Sequence, residues 1–395
     1  MLKKIYTSLI VLFPILSGYG GFAGIDLGSI LLLFAGVVYL ALNFSRFSMK
    51  FPKGYVLFLV LALLITFFVT RSIQLRLILY SFNLVIACCF VDKKCLYTIY
   101  SKVVLFSCIF FLVQEIMYIT SGYRISGLLP FLPTIYGGDV DLIATQTVSE
   151  RSASFFLEPS YFAQYLFPFI ALSLFQFNTQ GLRYSILVSL IVLLTRSGNG
   201  ILLLAIIWGI WLFFSEISVS KKVSIIVVGI IGLYLVLLLD PELLTSLFDR
   251  SAELTSFHGD ERFMSSGFIR IFRGYFLYSD LPTINKLFGA SEQLIEAIKK
   301  YNIFFIDENT SKFLNGTQML LIHNGLIVTV CYFRHLFLYY NKFYRVTLVL
   351  ISCFVFLMFT ESYYLTSRAF LVSIILYIVN KNQDLDKTIN RNKSL

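Results

Sequence analysis

The residues best suited to chemistry form one short run, Arg151-Ser-Ala-Ser-Phe-Phe-Leu-Glu158-Pro159-Ser160. A residue before proline avoids the α region, and proline favours the first helical turn. Glu158 is therefore expected at a helix N-terminus that Pro159 opens, with its carboxylate at the positive end of the helix dipole. The Ser-Ala-Ser-Phe-Phe-Leu stretch before it is apolar enough to dip into a membrane. Glu158 is thus expected to be partly buried and to take Arg151 or Arg196 as its partner. A second chemical surface lies further on. At about 100° per residue, Met264, Phe268, Ile271, Phe272, Tyr275 and Tyr278 share one stripe, and Arg262, Arg270 and Arg273 gather opposite it. This pattern reads as an interfacial helix with an arginine face. The planar fork of arginine suits a diphosphate, because it donates two hydrogen bonds at once. The same arginines would also hold such a helix on anionic lipid headgroups.

Other candidates are weaker. Asp139-Val-Asp141 is a DxD pattern, of the kind that binds a metal–nucleotide in many glycosyltransferases. His258 lies in a long loop, where it could serve as a general base or simply be solvated. His323 adjoins Asn324-Gly325 and reads as a packed, hydrogen-bonded side chain. Leu287-Phe-Gly289 with Ser291 reads as a tight turn of the kind found near phosphate. The three histidines, His258, His323 and His335, are scattered, and the six cysteines form no CxxC. No metal and no cofactor is expected.

These residues must be positioned by a membrane-embedded framework. Of the 395 residues, 58% are hydrophobic and 14% charged, against roughly 45–50% and about 25% in soluble domains. The mean hydropathy is +0.81. The excess lies in apolar runs of about 17 to 25 residues, the length at which a helix crosses the hydrocarbon layer. In lipid the backbone must satisfy its own hydrogen bonds, so such runs are helices. The expected fold is all-α and integral to the membrane, with about twelve spans. They fall near 5–22, 27–43, 54–70, 73–91, 98–120, 154–177, 182–196, 199–215, 222–239, 314–333, 346–361 and 363–380. The N-terminus, Met1-Leu2-Lys3-Lys4, reads as a retained first helix without a small-x-small cleavage site.

The net charge of +10 bears on orientation rather than on nucleic acid. With the N-terminus inside, 18 of the 32 Lys and Arg fall in cytoplasmic loops and termini, as the positive-inside bias requires. Both termini are expected in the cytoplasm. Residues 1–380 then form one transmembrane domain with outer loops at 121–153 and 240–313, and 381–395 form a polar tail. Loops this long are uncommon unless functional or disordered. Charges in or beside spans are expensive and tend to be functional. Here Arg71, Arg76, Glu115, Glu158, Arg196, Glu361 and Arg368 all fall near expected outer helix ends. Their clustering on one side favours a polar cavity open to the outside.

The run Arg151-Ser-x-Ser-Phe-Phe-x-Glu158-Pro159-Ser160-x-Phe162-Ala163 resembles the signature of bacterial Wzy-type O-antigen and capsular polysaccharide polymerases. The later order is similar too: a Thr195-Arg196-Ser197 break, an arginine-containing loop reaching Leu287-Phe-Gly289, then Gly316-Thr317 leading into an Asn324-Gly325-Leu326 span. The family's S-R-G reads Arg196-Ser197-Gly198 here, a permuted match. Related ligases carry a loop histidine that the stretch near Asn315 lacks, which favours polymerase over ligase. The resemblance implies a metal-independent membrane glycosyltransferase of the bacterial inner membrane. It would join repeat units carried on undecaprenyl diphosphate at the outer face. Glu158, Arg151, Arg270 and Arg273 would be catalytic, and Arg196, Arg262, His258, Asp139 and Asp141 would bind substrate. Partners would be the lipid-linked oligosaccharide, membrane lipids, and a chain-length regulator and flippase of the same pathway, with no nucleic acid. The alternatives are a polysaccharide flippase or other transporter, or an O-antigen ligase. Transporters hold their binding groups near the midplane on broken helices, whereas the charges here lie toward one side.

The topology is checked by single-cysteine labelling in intact cells and inverted vesicles. Residues 220 and 300 are expected to label from opposite sides, and same-side labelling would exclude the arrangement.

Overall fold

In the computed structural model, residues 2–21, 25–44, 53–71, 74–135, 146, 151–176, 179–215, 218–239, 266–301, 314–340 and 345–393 are described. Among them the chain is mainly α-helical and has no strand, only two isolated bridges, Tyr19 with Thr134 and Gly20 with Asp26. A helix lies at each stretch expected to span. These are α1 (Leu2–Leu16), α2 (Leu27–Leu42), α3 (Lys53–Ile65), α4 (Leu75–Phe90), α5 (Lys93–Ser121), α6 (Pro159–Gln176), α7 (Thr179–Leu194), α8 (Gly198–Phe214) and α9 (Val219–Leu239). The expected long outer loop contributes α10 (Ser266–Asp280), α11 (Thr283–Phe288) and α12 (Glu292–Lys299), and the chain closes with α13 (Gly316–Phe337), α14 (Arg345–Thr360) and α15 (Ser367–Lys393).

Two helices, Lys94–Ser121 within α5 and α13, are long and apolar enough to cross a membrane, and seven more are apolar but have only 10–17 residues. The difference from a uniform set of long spans has a local cause. α1 stops at Leu16 rather than near residue 22, α6 cannot extend behind Pro159, and α3 continues only as a π-helical turn, Thr66–Thr70. The outer surface carries large apolar side chains: Phe34, Phe67, Phe213 and Ile119 are 69%, 72%, 80% and 78% exposed. Water does not favour such a surface, and lipid does.

The core runs through α6 and the first half of α15. Residues 162–173 and 369–376 are all buried, so these helices are enclosed on every side. α15 packs on α1, α4, α6 and α14, and α6 also meets α5, α7 and α8. Buried hydroxyls tie the helices together: Tyr165 donates to the Val11 carbonyl at 3.1 Å, and Tyr55 and Ser81 share a 2.8 Å bond. At the opposite end, Lys3 and Asp92 pair at 3.3 Å, which places the starts of α1 and α5 on one side. The Cys95 amide donates to the Asp92 carboxylate and holds its pKa below the usual range.

α13 is broken. Gly325 has φ 77° and ψ 173°, outside the helical region. The outer helix α11 fills the break. A Cβ on Gly325 would stand 2.3 Å from the Leu287 carbonyl oxygen, and one on Gly289 (φ 86°) would stand 2.4 Å from that of His323. The Ala290 amide donates to the Ile322 carbonyl at 2.9 Å, satisfying a group that the break frees. The expected Leu287-Phe-Gly289 turn therefore serves to seat the outer loop in a transmembrane helix. That backbone region is almost closed to residues with a Cβ, at about 1–3 kcal/mol each. Gly325→Ala is expected to lower the thermal midpoint of the purified protein by several degrees, whereas Gly209→Ala, with nothing within 4 Å of its Cβ position, should leave it unchanged.

Candidate functional site

α6 opens at Pro159, and the Glu158 carbonyl accepts its first bonds, from the amides of Tyr161 (3.1 Å) and Phe162 (3.2 Å). The residues before it are held against α5. Gln114 accepts from the Ser154 amide at 2.9 Å, while its own amide nitrogen lies 3.4 Å from the Ser154 carbonyl oxygen and 2.8 Å from that of Ile125. The Ser154 hydroxyl donates to the Ser107 carbonyl at 2.8 Å. Arg124 donates to the Ser152 hydroxyl at 2.7 Å, pairs with Glu115 at 3.3 Å, and stacks on Tyr118 with 3.6 Å to the ring centre. Gln146 donates to the Phe156 carbonyl at 2.9 Å. Ser154 is left-handed at φ 52°, and a Cβ on Gly127 would fall 1.8 Å from its carbonyl oxygen. Only glycine admits that approach. The stretch is thus buried, as its apolar character suggested, but within protein.

Glu158 differs from expectation. It is exposed, and among the described residues its carboxylate accepts one hydrogen bond, from Ser160 at 3.1 Å. The expected ion pair with Arg151 or Arg196 is not formed. Ser152, Ser154 and Phe156 take the buried positions, and Glu158 emerges at the surface where the nearby hydroxyl of Ser160 reaches it. Arg151 is also exposed. Arg196 is half-buried and left-handed (φ 53°), closing the α7–α8 turn. In that turn Asn199 donates to the Glu361 carboxylate, and the Glu361 carbonyl accepts from Gly316 at 2.7 Å. The turn, the end of α14 and the start of α13 are joined there.

Beside this junction lies a cavity of about 590 Å³. It is walled by the end of α1, the start of α2, the first half of α4, Phe156, Leu157 and Tyr161, and the 362–368 turn. All of these are ends expected to face outward. Arg76 stands exposed at its rim, and Arg368 is half-buried with its guanidinium over the Tyr161 ring, 3.5 Å from the centre. Neither pairs with a described carboxylate. Asp26, the acid in the wall, accepts from the Ser29 amide and hydroxyl at 2.7 Å each, and so caps α2. Three buried atoms of the lining have no hydrogen-bond partner among the described residues: Asn83 Oδ1, Tyr364 Oη and Arg368 Nη1. Buried polar groups are normally satisfied, so the lining leaves polar groups open beside the cations Arg76 and Arg368. The expected clustering of outer charges is realised through Arg76 and Arg368, while Glu115 is taken up by Arg124.

The helix α10, expected as an interfacial helix with an arginine face, packs on α13. Arg273, Gly274 and Leu277 face inward and are buried, and Phe272 of the aromatic stripe is 41% exposed. The Gln318 amide donates to the Ile271 carbonyl at 2.8 Å, and a Cβ on Gly274 would meet the Gln318 side chain at 2.5 Å. The helix thus packs on Gln318 of α13, one residue from Met319 in the cavity wall, with Arg273 buried on it. The Arg270 side chain, Arg262, His258, Asp139 and Asp141 lie outside the described residues. His323 stands 3.4 Å from Glu292, in a packed position. No group of three His, Cys, Asp or Glu suited to a metal occurs among the described residues. Gln114, Arg124, Asn83 and Tyr364 were not singled out by spacing. Their one signal is polarity inside apolar runs, as in Gln114-Glu115.

An apolar helical bundle with an arginine-bearing cavity at one end defines an integral membrane protein that handles a polar substrate. A family model described as WcaD colanic acid polymerase matches residues 23–255. The match covers more than half of the chain, which belongs to this family of polysaccharide polymerases. It agrees with the Wzy-type resemblance carried by Arg151–Ala163. No curated protein and no solved structure matches the chain.

The Arg124–Glu115 pair is deeply placed, with side chains 1% and 15% exposed. Breaking a buried pair by removing one partner costs about 3–5 kcal/mol, while replacing both costs much less. Arg124→Met is expected to reduce folded protein in the membrane, and adding Glu115→Leu to restore part of it, as read by thermal unfolding of both variants.

Proposed function

We propose that this polymerase joins oligosaccharide repeat units carried on undecaprenyl diphosphate at the outer face of the bacterial inner membrane, through twelve spans with both termini in the cytoplasm. The product would be O-antigen, capsule or exopolysaccharide. The observation that carries the reading is the cavity. It lies at the helix ends expected outside, it is walled by the signature segment, and two of its arginines lack a described carboxylate partner. In the reaction, the bond from the donor's anomeric carbon to the diphosphate oxygen breaks, and its electron pair leaves with the diphosphate. An acceptor hydroxyl bonds to that carbon and gives up its proton.

The leaving group gains charge in the transition state, which fixed cations stabilise most. Arg273, buried on α10, and Arg270 of the same helix, with Arg196 and Arg151 near the signature, are the proposed source. In this reading arginine supplies the charge that a divalent metal supplies elsewhere. Glu158, next to Leu157 of the wall, is the proposed proton acceptor. Its exposure leaves it open to an incoming hydroxyl. Asp139, Asp141, His258 and Arg262 remain candidate substrate contacts.

The test is the surface glycan of a deletion strain, resolved on a gel. Single-repeat products are expected, and wild-type chain should restore the ladder. Unaltered polymer in the deletion strain would overturn the assignment. Glu158→Gln keeps shape and removes charge, so protein levels should stay normal while polymer falls by about 100-fold or more, the usual worth of acid–base catalysis. A variant that polymerises normally would remove Glu158 from the chemistry.

A further inference from the structure

The polarity of the cavity is more specific than a diphosphate requires. A phosphate ligand presents acceptors only and calls for donors. Here the unpartnered buried atoms are mixed: Arg368 Nη1 donates, Asn83 Oδ1 accepts, and Tyr364 Oη does either. A sugar ring matches such a set, because each hydroxyl both donates and accepts. The wall also carries other aromatic side chains, Tyr80 and Phe156 among them, against which the C–H face of a sugar ring packs. A cavity of about 590 Å³ lies within the roughly 300–1,000 Å³ of ligand pockets. The guanidinium of Arg368 lies over the Tyr161 ring with Nη1 unbonded, and Arg76 adds a second cation at the rim.

We infer that this cavity seats one sugar residue of the substrate glycan, with its hydroxyls on Asn83 and Tyr364 and an oxyanion of that residue on Arg368 and Arg76. The oxyanion is either a carboxylate of an acidic sugar or the phosphate on its anomeric oxygen. The inference rests on the polymerase reading and adds a glycan subsite separate from the leaving-group cations of α10.

Because Asn83 Oδ1 and Tyr364 Oη have no protein partner, Asn83→Leu and Tyr364→Phe remove no internal hydrogen bond of those atoms. Such changes are close to neutral for folding. Thermal unfolding is therefore expected to be unchanged in both. Binding is measured by calorimetry on the full chain in nanodiscs. The probes are the single-repeat oligosaccharide freed of lipid, with and without its anomeric diphosphate, each in native and carboxyl-reduced form, together with inorganic pyrophosphate alone. Each variant should weaken oligosaccharide binding by about tenfold, the worth of one hydrogen bond, and leave pyrophosphate binding unaffected. Arg368→Gln should weaken it as much or more. Loss of that Arg368 effect on carboxyl reduction identifies the carboxylate as the oxyanion, and its loss on diphosphate removal identifies the phosphate. Oligosaccharide binding that ignores Asn83→Leu and Tyr364→Phe in stably folded protein overturns the inference, as does pyrophosphate binding as tight as that of the sugar probes and lost with Arg368. Either result leaves the polymerase reading standing if the deletion strain still makes single repeats.

Discussion

The side-chain amide of Gln114 closes on both backbone groups of Ser154, and the placement of the site depends on that clasp. Between α5 and α6 the chain runs through a buried stretch with no regular structure, where every amide and carbonyl must find a partner. Irregular backbone at membrane depth is tolerated only when enclosed by protein. Gln114 supplies the partner from a helix side chain, Ser107 takes the Ser154 hydroxyl, and Arg124 takes that of Ser152. Gly127 makes room for the Ser154 carbonyl. With the stretch fixed, Phe156 and Leu157 become cavity wall and Pro159 starts α6. The signature Ser-x-Ser-Phe-Phe is therefore in large part a tether, and Arg151 and Glu158 are its two exposed ends.

A second tether works on the opposite wall. α11 enters the break in α13 at Gly325, and α10 packs on the same helix through Gly274 and Gln318. Gln318 also forms a reciprocal cap with Asn315, each side chain bonding the other's amide at 2.9 and 3.1 Å. Gly316, beside it, is bound to Glu361, which leads directly to the turn carrying Tyr364 and Arg368. The outer loop, the broken helix and the cavity wall therefore form one connected unit. A displacement of α10 would be felt at Met319 within a single helical turn, so the buried Arg273 and the cavity wall are mechanically coupled.

Much of the framework was legible because its signals are local. Apolar runs of the right length marked the helices, and Glu158-Pro159 marked where α6 begins. Helix lengths were not legible, since the π-turn at 66–70 and the Gly325 break act through three-dimensional packing. The clustering of Arg76 and Arg368 could be anticipated from topology alone, because both fall at ends expected on one side. Asn83 and Tyr364 could not, for their importance lies in what they fail to bond within the protein. The burial of Glu158 was misjudged because the apolar residues preceding it fill the interior by themselves.

The orientation of α10 shows why a helical pattern alone does not fix which face turns inward. In water the aromatic stripe would turn to the core and the arginines to solvent. Beside a membrane the alternative for the aromatic face is lipid or the headgroup region, so burying it in protein gains little. The inward face is then chosen by what protein alone can provide. Gly274 permits close approach to Gln318, Leu277 fills the contact, and Arg273 is enclosed beside them. A guanidinium enclosed in this way is costly unless neighbours satisfy it, and its field is much less screened than at the surface. The same turn of the helix that removes Arg273 from solvent thus strengthens its field beside α13, where a surface arginine of equal charge would act only through water.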